Sequence, residues 1–137
     1  LAVWTVSEHK YIRGLNQGLA VYEGLIRAND TVIAGDFNSN AKWDKEHPKQ
    51  LNHSAMLRAM TELSLESAYH VYTSEKQGEE TQPTFYHYRK SDKPFHIDYC
   101  FVPKAWTSSI QEVSVGRFDE WHKLSDHCPL LVDIAER

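Results

Sequence analysis

Cysteine is nearly absent from the chain: Cys100 and Cys128 are the only two among 137 residues, both inside apolar stretches. That argues against a disulfide framework and reads as two buried thiols, which fit a reducing, cytoplasmic setting. No apolar run is long enough to span a bilayer, and the N-terminus lacks the basic-then-apolar layout of an export signal. Positive charge is not in excess. Fifteen Lys and Arg stand against nineteen Asp and Glu, a formal charge of −4, so a protein that coats nucleic acid through a broad basic surface is not expected. Eight His are present, yet neither an HExxH pattern nor a Cys/His cluster accompanies them, and their spacing does not point to zinc. Six of them, His9, His47, His53, His70, His87 and His122, read as surface or loop residues.

What is present is enough for a core: 41% apolar residues and 12% aromatics, in a length that fits one domain. Leu1 to Val6 already reads as a strand, so the sequence is expected to begin partway through a larger fold. Ser7 can cap a helix whose apolar positions Ile12, Leu15, Leu19, Tyr22 and Ile26 step by three and four. Gly14 and Gly18 each cost roughly 1 kcal/mol against Ala in a helix interior, which a close approach to a sheet would explain. A strand from Thr31 follows, then a polar loop over 41–53, a helix over 54–65 and a strand over 67–73. After a polar loop at 74–82, residues 83–90 open a hairpin that turns near 91–94 and returns through a strand at 96–102. Strands at 110–115 and 129–134, joined by a loop at 118–123, complete an α/β layered sandwich without repeats or linkers.

The chain is organised around the end of its second strand. Asp36 and Asn38 are two residues apart, so on an extended backbone they point to the same side. Asp36 can hold a hard cation or take a proton from water, and the Asn38 carboxamide can donate to an anionic oxygen without adding charge. The ordinary alternative is a turn in which both close on their own backbone. Asp98 lies in an apolar strand, where a buried carboxylate needs a partner. Ser125, Asp126 and His127 cannot form a nucleophile triad, because chain neighbours do not line up as donor, base and orienter. Phe85, Tyr86, Tyr88 and Phe95 interleave with Arg89, Lys90 and Lys93. This is either a patch that stacks bases and holds phosphates or, more simply, a packed aromatic face with a solvated tip. Trp43 has the same two readings.

Gly-Asp-Phe-Asn at 35–38, His-Ile-Asp-Tyr-Cys-Phe-Val at 96–102 and Ser-Asp-His-Cys-Pro-Leu at 125–130, in that order, resemble the endonuclease/exonuclease/phosphatase superfamily. Its members include deoxyribonuclease I-like nucleases, AP endonucleases, sphingomyelinases and inositol-polyphosphate phosphatases. Each motif is short, but the three stand in order, and the resemblance covers nearly the whole chain. The resemblance implies a deoxyribonuclease I-like α/β sandwich, here roughly its C-terminal half as one partial domain over 1–137. It also implies a Mg²⁺-dependent phosphoesterase, with Mn²⁺ as the alternative, that cleaves phosphodiesters by in-line attack of water. Asp36, Asn38, Asp98 and His127 carry the catalytic roles, and Asp126 with Asp36 holds the metal. His127 is expected to be oriented by Asp98, a carboxylate that favours the imidazolium. Asn38, His96, Trp43 and Arg89 are the expected substrate contacts, His96 because many members carry a basic residue there. DNA, RNA, phospholipid and inositol phosphate remain open as substrates.

Complete members supply an upstream Asn and a metal-binding Glu that have no counterpart here. Many also carry a His or Tyr where Trp4-Thr5 would align, and Trp4 can donate a hydrogen bond but cannot serve as an acid. The expectation is a chain that is at most weakly active alone and self-associates through an uncovered sheet. The rival reading is a non-catalytic binding domain that keeps the fold without a working metal site.

Overall fold

The computed structural model describes residues 1–136, the side chain of His9 apart. Its centre is a four-stranded sheet of β1 (Ala2–Trp4), β2 (Ile33–Asp36), β6 (Asp98–Pro103) and β3 (Leu65–Ser67), adjacent in that order. β1 runs parallel to β2, while β6 is antiparallel to both of its neighbours. The parallel pair requires a crossover, supplied by α1 (Ile12–Arg27). α1 and α2 (His53–Glu62) lie against one face, where Ile12, Leu19, Ile26, Met56 and Met60 pack on Ile33, Tyr99 and Phe101. The other face meets α3 (Ala68–Thr73) and a hairpin of β7 (Ile110–Val115) with β8 (Leu130–Ile134) through Val102, Cys100, Tyr69 and Val113. Side chains alternate along β6, Tyr99 and Phe101 to the helices, Cys100 and Val102 to the hairpin. The same alternation sends Asp98 to the hairpin side. A smaller hairpin of β4 (Phe85–Tyr86) and β5 (Pro94–Phe95) leads into β6, and a single turn, α4 (Phe118–Trp121), precedes β8.

Several local expectations need correction. α1 starts at Ile12 rather than near Ser7, because Lys10 and Tyr11 adopt left-handed φ of 55° and 49° and interrupt the ladder after a short 3₁₀ turn. A Cβ at Gly18 would meet nothing within 4 Å, so no close approach to the sheet explains that glycine. The strand expected over 67–73 stops at Ser67 and continues as α3, with Ala68 and Tyr69 fully buried and the Thr73 hydroxyl donating to the Tyr69 carbonyl one turn back at 2.8 Å. The hairpin opened at 83 returns only through β5. Thr84 then ends the pairing, because its hydroxyl accepts from the amides of both Ile97 and Asp98 at 3.0 Å and passes the chain to the central sheet. His53, expected at the surface, is 1% exposed. Among the described residues no helix is long and apolar enough to cross a membrane.

Candidate active site

Asp36 ends β2, Asp98 begins β6, and the two are direct register partners. Their carboxylates therefore sit side by side on the hairpin face, an arrangement of like charges that ordinarily destabilises a sheet. His127 approaches from the other layer. The segment before β8 is pinned to the small hairpin by the Cys128 amide donating to the Thr84 carbonyl at 2.7 Å and by a bridge between Phe85 and His127. That docking sets His127 Nδ1 2.9 Å from Asp98 Oδ2. The imidazole is 32% exposed and the carboxylate 19%, so the pair is reachable from solvent. With Nδ1 committed to Asp98, the Nε2 edge is left for the cleft.

Asn38 sits two residues beyond Asp36 with a left-handed φ of 44°, a conformation that Asn tolerates better than most residues. The turn brings the Asn38 backbone amide to Asp36 Oδ1 at 2.8 Å and the Asn38 carboxamide to Asp36 Oδ2 at 2.7 Å. The second carboxamide hydrogen goes to the Thr5 carbonyl at 3.1 Å. The expected free donor is thus engaged at both hydrogens, and in this arrangement Asn38 orients Asp36.

Burial above all, joined by the charges of Asp98 and Asp126, pushes the Asp36 carboxyl above its usual value despite the Asn38 amide and His127 pulling it down. The Asp98 hydrogen bond raises His127 against the effect of burial, and the charges of Asp98, Asp36 and Asp126 add to the rise. Around these groups opens a cleft of about 700 Å³, lined by Trp4, Asp36, Asp98, Trp121, Ser125 and His127 among others.

A sequence model described as the Endonuclease/Exonuclease/phosphatase family matches residues 2–127. The chain belongs to this family. Solved structures of similar fold include a 3'-5' exonuclease (NExo) from Neisseria meningitidis, with TM-score 0.67 and 19% identity over 97% of this chain and 59% of that one. The 3' phosphatase NExo from Neisseria, bound to a product DNA hairpin, gives TM-score 0.65 and 18% identity over 95% of this chain and 54% of that one. The endonuclease domain of TRAS1, a telomere-specific non-LTR retrotransposon, gives TM-score 0.65 and 19% identity over 98% of this chain and 56% of that one. The chain therefore spans less than two thirds of the length of each. No curated protein matches the chain. The fold is the layered α/β arrangement of deoxyribonuclease I-like nuclease domains.

Within this family framework the remaining candidates separate. Asp126 is half-buried beside the pair, with its carbonyl accepting from the Tyr86 amide at 2.7 Å and its charge felt by both Asp36 and His127. Among the described residues no three His, Cys, Asp or Glu side chains gather as a metal site. The donor chemistry nevertheless fits Mg²⁺ or Mn²⁺, hard cations that take one or two carboxylates with phosphate and water completing the shell.

His96 is corrected. It is 3% exposed, its Nδ1 faces the Gln82 carbonyl at 2.7 Å, and its ring packs 4.5 Å from that of Tyr69, out of reach of a substrate in the cleft. Trp43 is half-buried against Phe95 at 5.4 Å, and a row of rings continues through Phe85 to His127 at 4.8 Å. Arg89 is exposed on the small hairpin and donates to the Lys123 carbonyl at 3.3 Å. Ser125 Oγ accepts from the His127 amide at 3.0 Å, which makes it a brace for the loop. Sequence reasoning overlooked Thr84 and Trp121. The only available signal was the Pro-Thr pair opening the hairpin, and nothing in Trp121's neighbourhood marked it.

Proposed function

We propose that this chain carries the phosphate-cleaving centre of a hydrolase acting on phosphodiesters, with nucleic acid as the substrate class. The observation that carries this reading is the Asp98–His127 pair set directly beside Asp36 in one open cleft. Asp36, its carboxyl raised above its usual value by burial, takes the proton of the attacking water. His127, whose protonated form Asp98 favours, donates from Nε2 to a phosphate oxygen as charge builds there. Asn38 keeps the Asp36 carboxylate aimed, and it reaches a phosphate oxygen by releasing one of its two contacts. Asp36 and Asp126 would hold a Mg²⁺ ion, which would supply charge neutralisation at the phosphate. Trp43 and Arg89 are the substrate contacts. The structural neighbours, an exonuclease, a 3' phosphatase bound to a product DNA hairpin and an endonuclease domain, support nucleic acid. Free thiols at Cys100 and Cys128 fit a cytoplasmic setting.

The chain self-associates in this reading, since Trp4, Val21 and Leu131 are 79%, 78% and 55% exposed and, among the described residues, β1 has only one neighbour in its sheet. The experiment assays wild type and His127→Ala at high concentration on a labelled DNA duplex with Mg²⁺ or Mn²⁺, while sizing both in solution. A weak wild-type rate that His127→Ala abolishes supports the reading. Equal rates for the two would overturn it in favour of a binding domain. Independently of turnover, saturating Mg²⁺ should raise the melting temperature of wild type and not of Asp36→Asn/Asp126→Asn.

A further inference from the structure

Behind the cleft, on the far side of the segment that carries Asp36 and Asn38, lies a buried polar network that the chemistry above does not use. Asn40 is 1% exposed, and its carboxamide nitrogen lies 3.0 Å from Glu80 Oε2, 3.0 Å from the His96 carbonyl and 3.2 Å from the Tyr99 hydroxyl. Its carboxamide oxygen accepts from the Lys42 amide at 3.1 Å. The Glu80 side chain is only 3% exposed, and its other oxygen lies 3.1 Å from His70 Nε2 and accepts from the Gly78 amide at 2.9 Å. His70 Nδ1 is in turn 2.8 Å from the Ser67 hydroxyl at the end of β3. Next door, Ser39 receives the Tyr99 hydroxyl on its carbonyl at 3.2 Å and lies 3.1 Å from His53 Nδ1 through its own hydroxyl.

The left-handed turn at Asn38 therefore lies between two clamps. One is the Asp36 carboxylate in front. The other is the Ser39–Asn40 attachment behind, and its anchor is a carboxylate from a loop forty residues away in sequence. An unfavourable backbone conformation persists where its surroundings over-determine it. A buried carboxylate in turn persists where donors surround it. We propose that Glu80, acting through Asn40, is a positioning residue that sets the turn at Asn38 and thereby the aim of Asp36. Burial works to raise the Glu80 carboxyl, but the donors on His70, Asn40 and Gly78 outweigh it and hold it down to about 2. The clamp therefore stays charged across the range in which an enzyme works.

The inference rests on the phosphoesterase reading only for its effect on rate. The placement itself is tested without substrate. Asn40→Ala cuts the link while leaving the Glu80–His70 pair intact, Glu80→Ala removes the anchor, and Glu80→Gln keeps an oxygen that can still accept from Asn40. In ¹⁵N NMR spectra, the backbone and side-chain amides of Asn38 are expected to move in both alanine variants and to stay near their wild-type positions in Glu80→Gln. Val113→Ala, in the other core, serves as the control for stability loss alone and should leave them in place. On labelled DNA with Mg²⁺, kcat should fall about 10- to 100-fold in the alanine variants with KM little changed, the scale of a small misplacement. Folded Asn40→Ala with wild-type Asn38 signals would overturn the proposal, and so would failure of both alanine variants to fold, since the network would then serve the fold alone. If the NMR shifts appear but wild type turns over no phosphate ester, the positioning stands and the phosphoesterase reading falls.

Discussion

Two constellations of Asn, carboxylate and His lie on opposite sides of one short segment, and chemically they are opposites. In front, Asn38, Asp36, Asp98 and His127 combine three nearby acids, counting Asp126, with one imidazole, and burial, joined by the charges of Asp98 and Asp126, raises Asp36. Behind, Asn40, Glu80 and His70 enclose one carboxylate in donors, and its carboxyl is held down to about 2. The front pair is 32% and 19% exposed, the rear pair 10% and 3%. Residue type alone does not distinguish the two. What distinguishes the front is charge left unmet beside an opening, where a substrate or cation can meet it.

The largest expected contrast is in stability. Glu80→Ala should cost roughly 3–5 kcal/mol in denaturant unfolding, the price of leaving a buried partner unpaired. Asp98→Ala should cost about 2 kcal/mol, because its partner still reaches water. Equal losses would erase the distinction between the clusters. Next comes turnover: His127→Ala and Asn38→Ala should each lower kcat by about 10²–10³ while the chain stays folded. A loss of folding with activity per folded molecule unchanged would move these residues to the structural side.

The pH dependence sharpens the comparison. Glu80 has a depressed folded value, so its stabilisation is present above its ordinary 4.5 and is lost as pH falls toward about 2. Glu80→Gln should flatten acid unfolding in that window. His127 has a raised folded value, so its stabilisation is complete below its ordinary 6.5 and is lost as pH rises through the folded value. An NMR titration of His127 should have its midpoint above 6.5, and Asp98→Asn should bring it down. The smallest effect expected is at Asp36. Its raised carboxyl means that ionisation at neutral pH works against folding, so Asp36→Asn should slightly raise the melting temperature while removing activity. Destabilisation instead would mean that the two Asn38 hydrogen bonds outweigh the repulsion.

Much of this was legible from the residues. The strand at 110–115 is β7, the second helix lies within a few residues of its expected span, and Asp36, Asp98 and His127 come together. Misreadings fall where local pattern and long-range packing compete. Val71 and Tyr72 resemble strand residues yet stand 39% and 47% exposed on α3, whose place is decided by the burial of Ala68 and Tyr69. His96 carries a charge-capable ring at a motif position, but Tyr69 and Tyr99 enclose it.

The sequence by itself determined the periods of its elements, and hence which residues share a face: Asp36 with Ala34 on β2, and Asp98 with Cys100 on β6. It also determined the inventory of donors and acids, and through its three ordered motifs the family. Only the tertiary structure decided which polar groups are saturated and which are left to act. Hydrogen bonding and desolvation depend on neighbours drawn from elsewhere in the chain, 29 residues apart for His127 and Asp98, 40 for Asn40 and Glu80, and 56 for Asn40 and His96. Local periodicity carries no information about those distances, so Glu80 in a polar loop and Asp98 in an apolar strand exchanged the environments that their surroundings in sequence imply.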